Sequence, residues 1–253
     1  HPFRPADPVL AWVALGQHLA ATEPADTVIA TDAAGALPLY AGRRAIDILG
    51  LNDVHIAHMK VSTLGQGGAG HEKFDPAYVL GLRPTIITMG IDRHGRMDYL
   101  FSSHFDYRTN YALTEILDRM GRSLGPERLH RLPPDAGPDQ VAAAIDALPK
   151  PQDWGYWGVA RRRAEPLDSL ALTRHDMRSR LFDPIPAFDG ALLEAPPGHE
   201  PTHVLFGPYL YLSPGRYVWS MAIEARGGTP GRCVLDAVAG SAEQGRQELD
   251  TAT

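Results

Sequence analysis

Apolar positions in the first half of the chain recur in two alternating periods. Val9, Trp12, Val13, Leu19 and Ala20 fall on one face at helical spacing. Asp7 and Pro8 ahead of them suit an N-cap and a first helical position. "TVIAT" (27–31) and "AIDIL" (45–49) read as short buried strands, and "DAAGALPLYAG" between them predicts one short helix ended around Pro38. "DPAYVLGLRP" (75–84) predicts a helix capped by Asp75, with Pro76 at N1 and Pro84 as its stop, and "TIITMG" (85–90) predicts another strand. Leu113, Ile116, Leu117 and Met120 keep the i, i+3, i+4, i+7 spacing of a helix, with Gly121 where a C-cap glycine belongs. "DQVAAAIDAL" (139–148) predicts a further helix, closed by Pro149.

Strands alternating with helices imply an α/β fold, an open, mostly parallel sheet with flanking helices. Pro149 and Pro151 mark a boundary, which gives an α/β domain over 1–150 and a connecting segment over 151–184. From 185 to 253 helical periodicity is lost. "HVLFGPYLYLSPGRYVWSMAIEA" and "RCVLDAVAG" alternate aromatic and β-branched residues around Gly-Pro and Pro-Gly turns. This part is expected to be a smaller antiparallel, β-sandwich-like domain. It is short for a complete sandwich and so reads as small, truncated or built against the first domain.

Composition narrows the function. The 253 residues are 44% hydrophobic and 21% charged, ordinary for a globular chain with room for a real core. A formal net charge of −6 argues against a nucleic-acid partner. The lone Cys233 excludes internal disulfides and cysteine-based zinc sites, and it sits in a strand pattern rather than a nucleophile motif. No apolar run approaches the roughly 18 residues that span a bilayer, and no signal peptide is visible. The chain begins "HPFRPADP", without Met, and reads as a processed product or a piece of something longer.

Candidate chemistry gathers in residues 47–73. Gly65, Gly67 and Gly70 spell G-x-G-x-x-G, with Asp92 after the following strand, as a dinucleotide-binding turn would require. Pro76 opposes that reading, because in the required helix it would lie beyond the first turn and cost about 3 kcal/mol. The glycines read better as a pliant loop needing positive φ, which delivers His71, Glu72 and Lys73 to a helix starting at Asp75. Asp47, Asn52, Asp53, His55 and His58 could bind a metal or sugar hydroxyls, with His71 and Glu72 closing from the glycine loop. Asp53 could equally cap a helix, and Asp32 after "TVIAT" is either a strand-end functional acid or a cap. His55 and His58 at i, i+3 lack a third-ligand spacing, so no metal or other cofactor is expected. G-x-S-x-G, P-loop and H-E-x-x-H motifs are absent. "ARRRAEPLDSLALTRHDMRSR" (160–180), with six arginines against three acids, is a solvated segment or a phosphate contact. Trp154, Tyr156 and Trp157 are junction packing or a sugar-stacking platform.

"IATDAAGALPLYAGRRAIDILGLNDVHIAH" and "GHEKFDPAYVLGLRPTIIT" resemble the soluble extracytoplasmic domain of some bacterial polytopic membrane glycosyltransferases. These are relatives of mannosyl- and arabinofuranosyltransferases that use polyprenyl-phosphate sugars. The resemblance covers roughly residues 8 to 90 and is weaker from there to about 185. "FGPYLYLSPGRYVW…LDAVAG" looks like a β-sandwich segment of carbohydrate-binding type. The resemblance implies a domain on the outer face of a bacterial membrane, partnered by a membrane-embedded half and by a glycan or polyprenyl-phosphate sugar. The catalytic acid is then expected on a loop between membrane helices, outside this chain. Asp32, Asp47, Asn52, Asp53, His71, Glu72 and Lys73 carry over as family-motif positions for substrate binding. The rival expectations are a metal-assisted sugar hydrolase in which Asp32, Asp47, Asp53, His55 and His71 converge, and a non-catalytic carbohydrate-binding or scaffold module.

Overall fold

A computed structural model describes residues 8–62, 64–66, 68–118, 129–148, 156–170, 210–212, 217, 232–239 and 242–250. Two units are distinguished, His1–Ser213 and Pro214–Thr253. The expected cap Asp7, Gly67, Trp154, the arginines beyond residue 170 and nearly all of 171–231 lie outside the described residues.

The first unit is built on a six-stranded sheet. In chain order its elements are α1 (Pro8–Thr22), β1 (Val28–Thr31), α2 (Ala36–Ala41), β2 (Arg44–Asp47), α3 (Val54–Ala57), α4 (Pro76–Gly81), β3 (Ile86–Ile91), α5 (Phe105–Asn110), β4 (Tyr111–Asp118), β5 (Leu129–Arg131), α6 (Pro138–Asp146) and β6 (Tyr156–Arg162). The strand order is β2-β1-β3-β6-β4-β5. β1 pairs in parallel with β2 and β3, whereas β3–β6, β4–β6 and β4–β5 are antiparallel. The fold is therefore α/β on a mixed sheet, not a mostly parallel one. β6 lies between β3 and β4, so the sheet extends beyond the boundary expected at Pro149 and Pro151. In the second unit, β7 (Arg232–Ala239) and β8 (Ala242–Asp250) form an antiparallel hairpin.

Both faces of the sheet are covered, which is why β3 is buried along its whole length. Leu15 and Leu19 of α1 and Leu37 and Ala41 of α2 pack on Ile29, Ile86, Trp157 and Val159. Trp157, fully buried, meets Trp12 edge to face at 5.6 Å and donates its indole N–H to the Thr88 hydroxyl. It is a core residue and not a sugar platform. Ile56 of α3, Val79 and Leu80 of α4, and Val141 and Ile145 of α6 cover the other face, over Ile87, Met89 and Ile116.

Two expected elements differ. Pro38 does not end its helix; it sits within the first turn of α2, where a missing N–H is tolerated, and Gly42 in the left-handed region terminates the helix instead. The helix expected around Leu113, Ile116 and Leu117 is β4, a strand. Its pairing with β6 is bulged between Leu113 and Glu115. One extra residue puts Leu113 and Ile116 on the same side of the sheet, while Leu117 joins the opposite core, so a bulged strand covered on both faces imitates helical spacing.

Candidate functional site

The site lies where β2 ends and where α4, running back toward β3, begins: the carboxyl edge of the parallel strands, where α/β folds place ligands. Two short helices meet there. Asp53 caps α3, its Oδ1 accepting from the Ile56 N–H at 3.0 Å, and Asp75 caps α4 by accepting from the Tyr78 N–H at 3.0 Å. Each capping aspartate uses its other oxygen on a ring of the opposite helix. His55 Nε2 donates to Asp75 Oδ2 at 3.1 Å, and the Tyr78 hydroxyl donates to Asp53 Oδ2 at 3.1 Å. The two rings stack, with centroids 4.0 Å apart and planes 20° from parallel. α3 and α4 are thus clasped reciprocally, with His55 about half exposed.

Neighbouring groups extend this rim. The His104 ring stacks on Tyr211 at 4.8 Å, held by backbone bonds from Phe105 N–H to Tyr211 O and from Tyr211 N–H to Ser103 O. His71 Nδ1 lies 2.6 Å from the Tyr99 hydroxyl, and Phe74 packs against Tyr99. Burial would raise the Asp75 carboxyl, but the Tyr78 N–H, the hydrogen bond and charge of His55, and the charge of His104 hold it below the ordinary aspartate value. Burial lowers the His104 imidazole, against the opposing pull of Asp106 and Asp75. Tyr78 is raised, by desolvation first and then by the hydrogen bond and charge of Asp53.

The remaining sequence candidates occupy separate positions. Asp47 is buried and spends Oδ1 on the Leu49 N–H (2.9 Å) and Oδ2 on the Asn52 N–H (2.6 Å), which shapes the "LGLN" loop. Asn52 is exposed on that loop. Glu72 accepts from the Gly65 N–H at 2.8 Å and closes the glycine loop, and Lys73 Nζ donates to the Ala57 carbonyl. Gly65 and Gly70 have φ of 84° and 81°, the positive values expected of a loop. His58 Nδ1 donates to the Val54 carbonyl within its own helix. Asp32, half-buried, directly follows β1 at this edge. Among the described residues no group of three or more His, Cys, Asp or Glu side chains could hold a metal ion. The convergence on a metal expected of the hydrolase reading is therefore not found there.

Sequence reasoning missed Asp75 as more than a cap, and it missed Tyr78, Tyr99, His104 and Tyr211. A signal existed for two of these. "DVH" and "DPAY" each place an aromatic ring two or three residues after a capping aspartate, which is the unit that the clasp duplicates.

These features define an α/β protein with a mixed sheet and a ring-and-carboxylate rim at the edge of its parallel half. A family model described as a domain of unknown function (DUF8728) matches residues 7–142, more than half of the chain, and the chain belongs to that family. No curated protein and no solved structure matches it.

Proposed function

We propose that the chain is the soluble, extracytoplasmic part of a bacterial membrane glycosyltransferase, or a free-standing relative. In this role it binds or positions an acceptor glycan for transfer from a lipid-linked sugar. The observation that supports this reading is the clasp. It sets stacked rings, which suit the apolar C–H face of a sugar, directly beside carboxylates, which accept hydrogen bonds from sugar hydroxyls. The flanking pair His104–Tyr211 repeats the ring chemistry along the same rim. The catalytic acid belongs to the membrane half, and the hairpin β7–β8 belongs to a β-sandwich-like part of carbohydrate-binding type. Calorimetry and a glycan array on the purified chain test the proposal. The expected outcome is binding of at least one neutral oligosaccharide that weakens about tenfold in Tyr78→Ala, the loss set by one stacking and hydrogen-bonding ring. An array with no sugar ligand overturns it.

A further inference from the structure

We propose that Arg83 and Arg162 form a binding site for a phosphate group at the amino edge of the parallel strands, the end of the sheet opposite the ring-and-carboxylate rim. The site is separate from the glycan reading and stands or falls without it.

The three consecutive arginines of "ARRR" have three different fates. Arg161 pairs with Glu23 and Glu115, and Arg163 pairs with Asp135. Arg162, exposed between them, has no acidic partner among the described residues. Alternation along β6 puts it on the face opposite Arg161, beside Tyr111 of β4 and next to Thr85, whose carbonyl accepts the Arg162 N–H at 2.9 Å. This is the face that α4 covers. α4 ends at Leu82, so Arg83 arrives at the same corner, and Arg162 Nη1 donates to the Arg83 carbonyl at 2.6 Å. That bond fixes one guanidinium and leaves its other N–H groups to a ligand. The Tyr111 hydroxyl holds the next carbonyl, that of Pro84, at 2.8 Å. Burial raises the Tyr111 phenol, and the charges of Arg162 and Arg83 both pull it back, which sets the two cations around one atom. Of the acids at this edge, Glu23 is held by Arg161, and Asp26, exposed before β1, makes no ion pair with either arginine.

The backbone supplies the second argument. Arg83 has φ of 54°, in the left-handed position after a helix that glycine usually fills. An arginine strains the chain there, yet among the described residues its side chain makes no ion pair or hydrogen bond that would offset the strain. Two neighbouring guanidinium groups without counter-ions also repel, although the chain as a whole carries a net charge of −6. A phosphate relieves that repulsion and accepts from both planar forks, as a single-point anion does not. A free phosphoester and a phospholipid headgroup present this same group.

Nitrogen NMR of the arginine side chains in the intact chain tests the proposal, with inorganic phosphate and pyrophosphate titrated at constant ionic strength against chloride. Arg83 and Arg162 should shift saturably with both phosphates and not with chloride. Arg83→Gly relieves the backbone strain, so its urea midpoint should hold or rise while pyrophosphate binding falls about tenfold. Arg162→Gln should weaken binding by a similar factor, about tenfold, and Arg162→Lys by less. Arg93→Gln, beyond the other end of β3, should leave binding unchanged. Flotation with vesicles of phosphatidylcholine, with and without phosphatidic acid, separates the sources. Saturable phosphate binding together with capture by the acidic vesicles assigns a lipid headgroup, and saturable binding without capture assigns a soluble phosphoester. The proposal is overturned if the arginine shifts do not saturate or chloride reproduces them. It is equally overturned if Arg83→Gly loses stability with pyrophosphate binding intact, or if acidic vesicles bind while the two arginines stay unperturbed by phosphate.

Discussion

Asp47 and Gly50 show how much architecture a candidate motif carries in its own backbone. Both Asp47 oxygens accept from backbone N–H groups two and five residues on. Gly50 has φ of 79°, and a Cβ there would lie 2.8 Å from the Ala57 nitrogen and from Ile56. Asp47→Ala leaves two backbone donors without their acceptor and should cost about 2 kcal/mol. Gly50→Ala should cost a similar amount, about 2 kcal/mol, through backbone strain and the clash with α3. Urea denaturation of the two variants checks both, and a loss of sugar binding without a loss of stability in Asp47→Ala would return that residue to the site. What the sequence revealed at this scale was local. The cap role of Asp75 and the N1 proline were legible because an N-cap bond spans three residues and is written in the neighbouring letters. The second oxygen of Asp75 bonds His55, twenty positions earlier, and Asp53 bonds Tyr78, twenty-five positions later. Nothing local encodes those partners; they follow from how α3 and α4 pack at the sheet edge.

Between elements, the clasp has an energetic consequence that its single contacts do not. α3 is four residues long and α4 is six, too short to persist on helix propensity alone. Each is held by a cap whose aspartate also anchors the other helix, so disrupting one pair loosens the orientation of both. Tyr78→Phe removes the hydroxyl bond to Asp53 yet keeps the stack on His55. A double-mutant cycle of Tyr78→Phe with Asp53→Asn should give a measurable favourable coupling. Asp53→Asn retains the cap, so a coupling near zero would mean that the hydroxyl bond contributes nothing. Where α1 crosses α2, a different device operates. A Cβ on Gly16 would stand 2.6 Å from the Leu37 carbonyl oxygen, so only glycine permits that approach. The misread β4 belongs to this scale as well. Helical period and bulged-strand period coincide over the few positions from Leu113 to Leu117, and only pairing with β6 decides between them. Pairing partners are distant in sequence, so the mixed sheet was illegible even where each strand was not. β1, β2 and β3 were foreseen; the antiparallel insertion of β6 beside β3 was not.

At the scale of the molecule, two buried polar systems tie the helices and turns to the sheet. Glu115, almost wholly buried on β4, lies 3.0 Å from Arg161 on β6, and Arg161 also reaches Glu23 just beyond α1 at 2.7 Å. Burial would lower the Arg161 guanidinium, but the hydrogen bond to Glu23 and the charge of Glu115 raise it. Arg161 keeps Glu23 when Glu115 is removed, so Glu115→Ala should cost about 1–2 kcal/mol, read from the urea midpoint. The second system is the stacked pair Tyr107 and Tyr111, rings 5.7 Å apart, with the Tyr111 hydroxyl donating to the Pro84 carbonyl at 2.8 Å. Burial pushes Tyr111 up to about 12, with Arg162 and Arg83 pulling the other way, and burial also raises Tyr107. In the unfolded chain both ionise near the ordinary value of 10.0. The folded state holds these protons more tightly, so the stability they confer is complete below pH 10 and is lost as the pH climbs toward 12. Urea midpoints measured at rising pH should fall across that window, and the tyrosinate absorbance of the native chain should lack the contributions of Tyr107 and Tyr111 until unfolding begins. Tyr111→Phe should start from lower stability at neutral pH, because the bond to Pro84 is gone, yet lose less on alkalinisation. If Tyr107 and Tyr111 ionise near pH 10 in the folded protein, these two rings are not sealed, and the sheet's helical cover is looser at α5 than its packing implies.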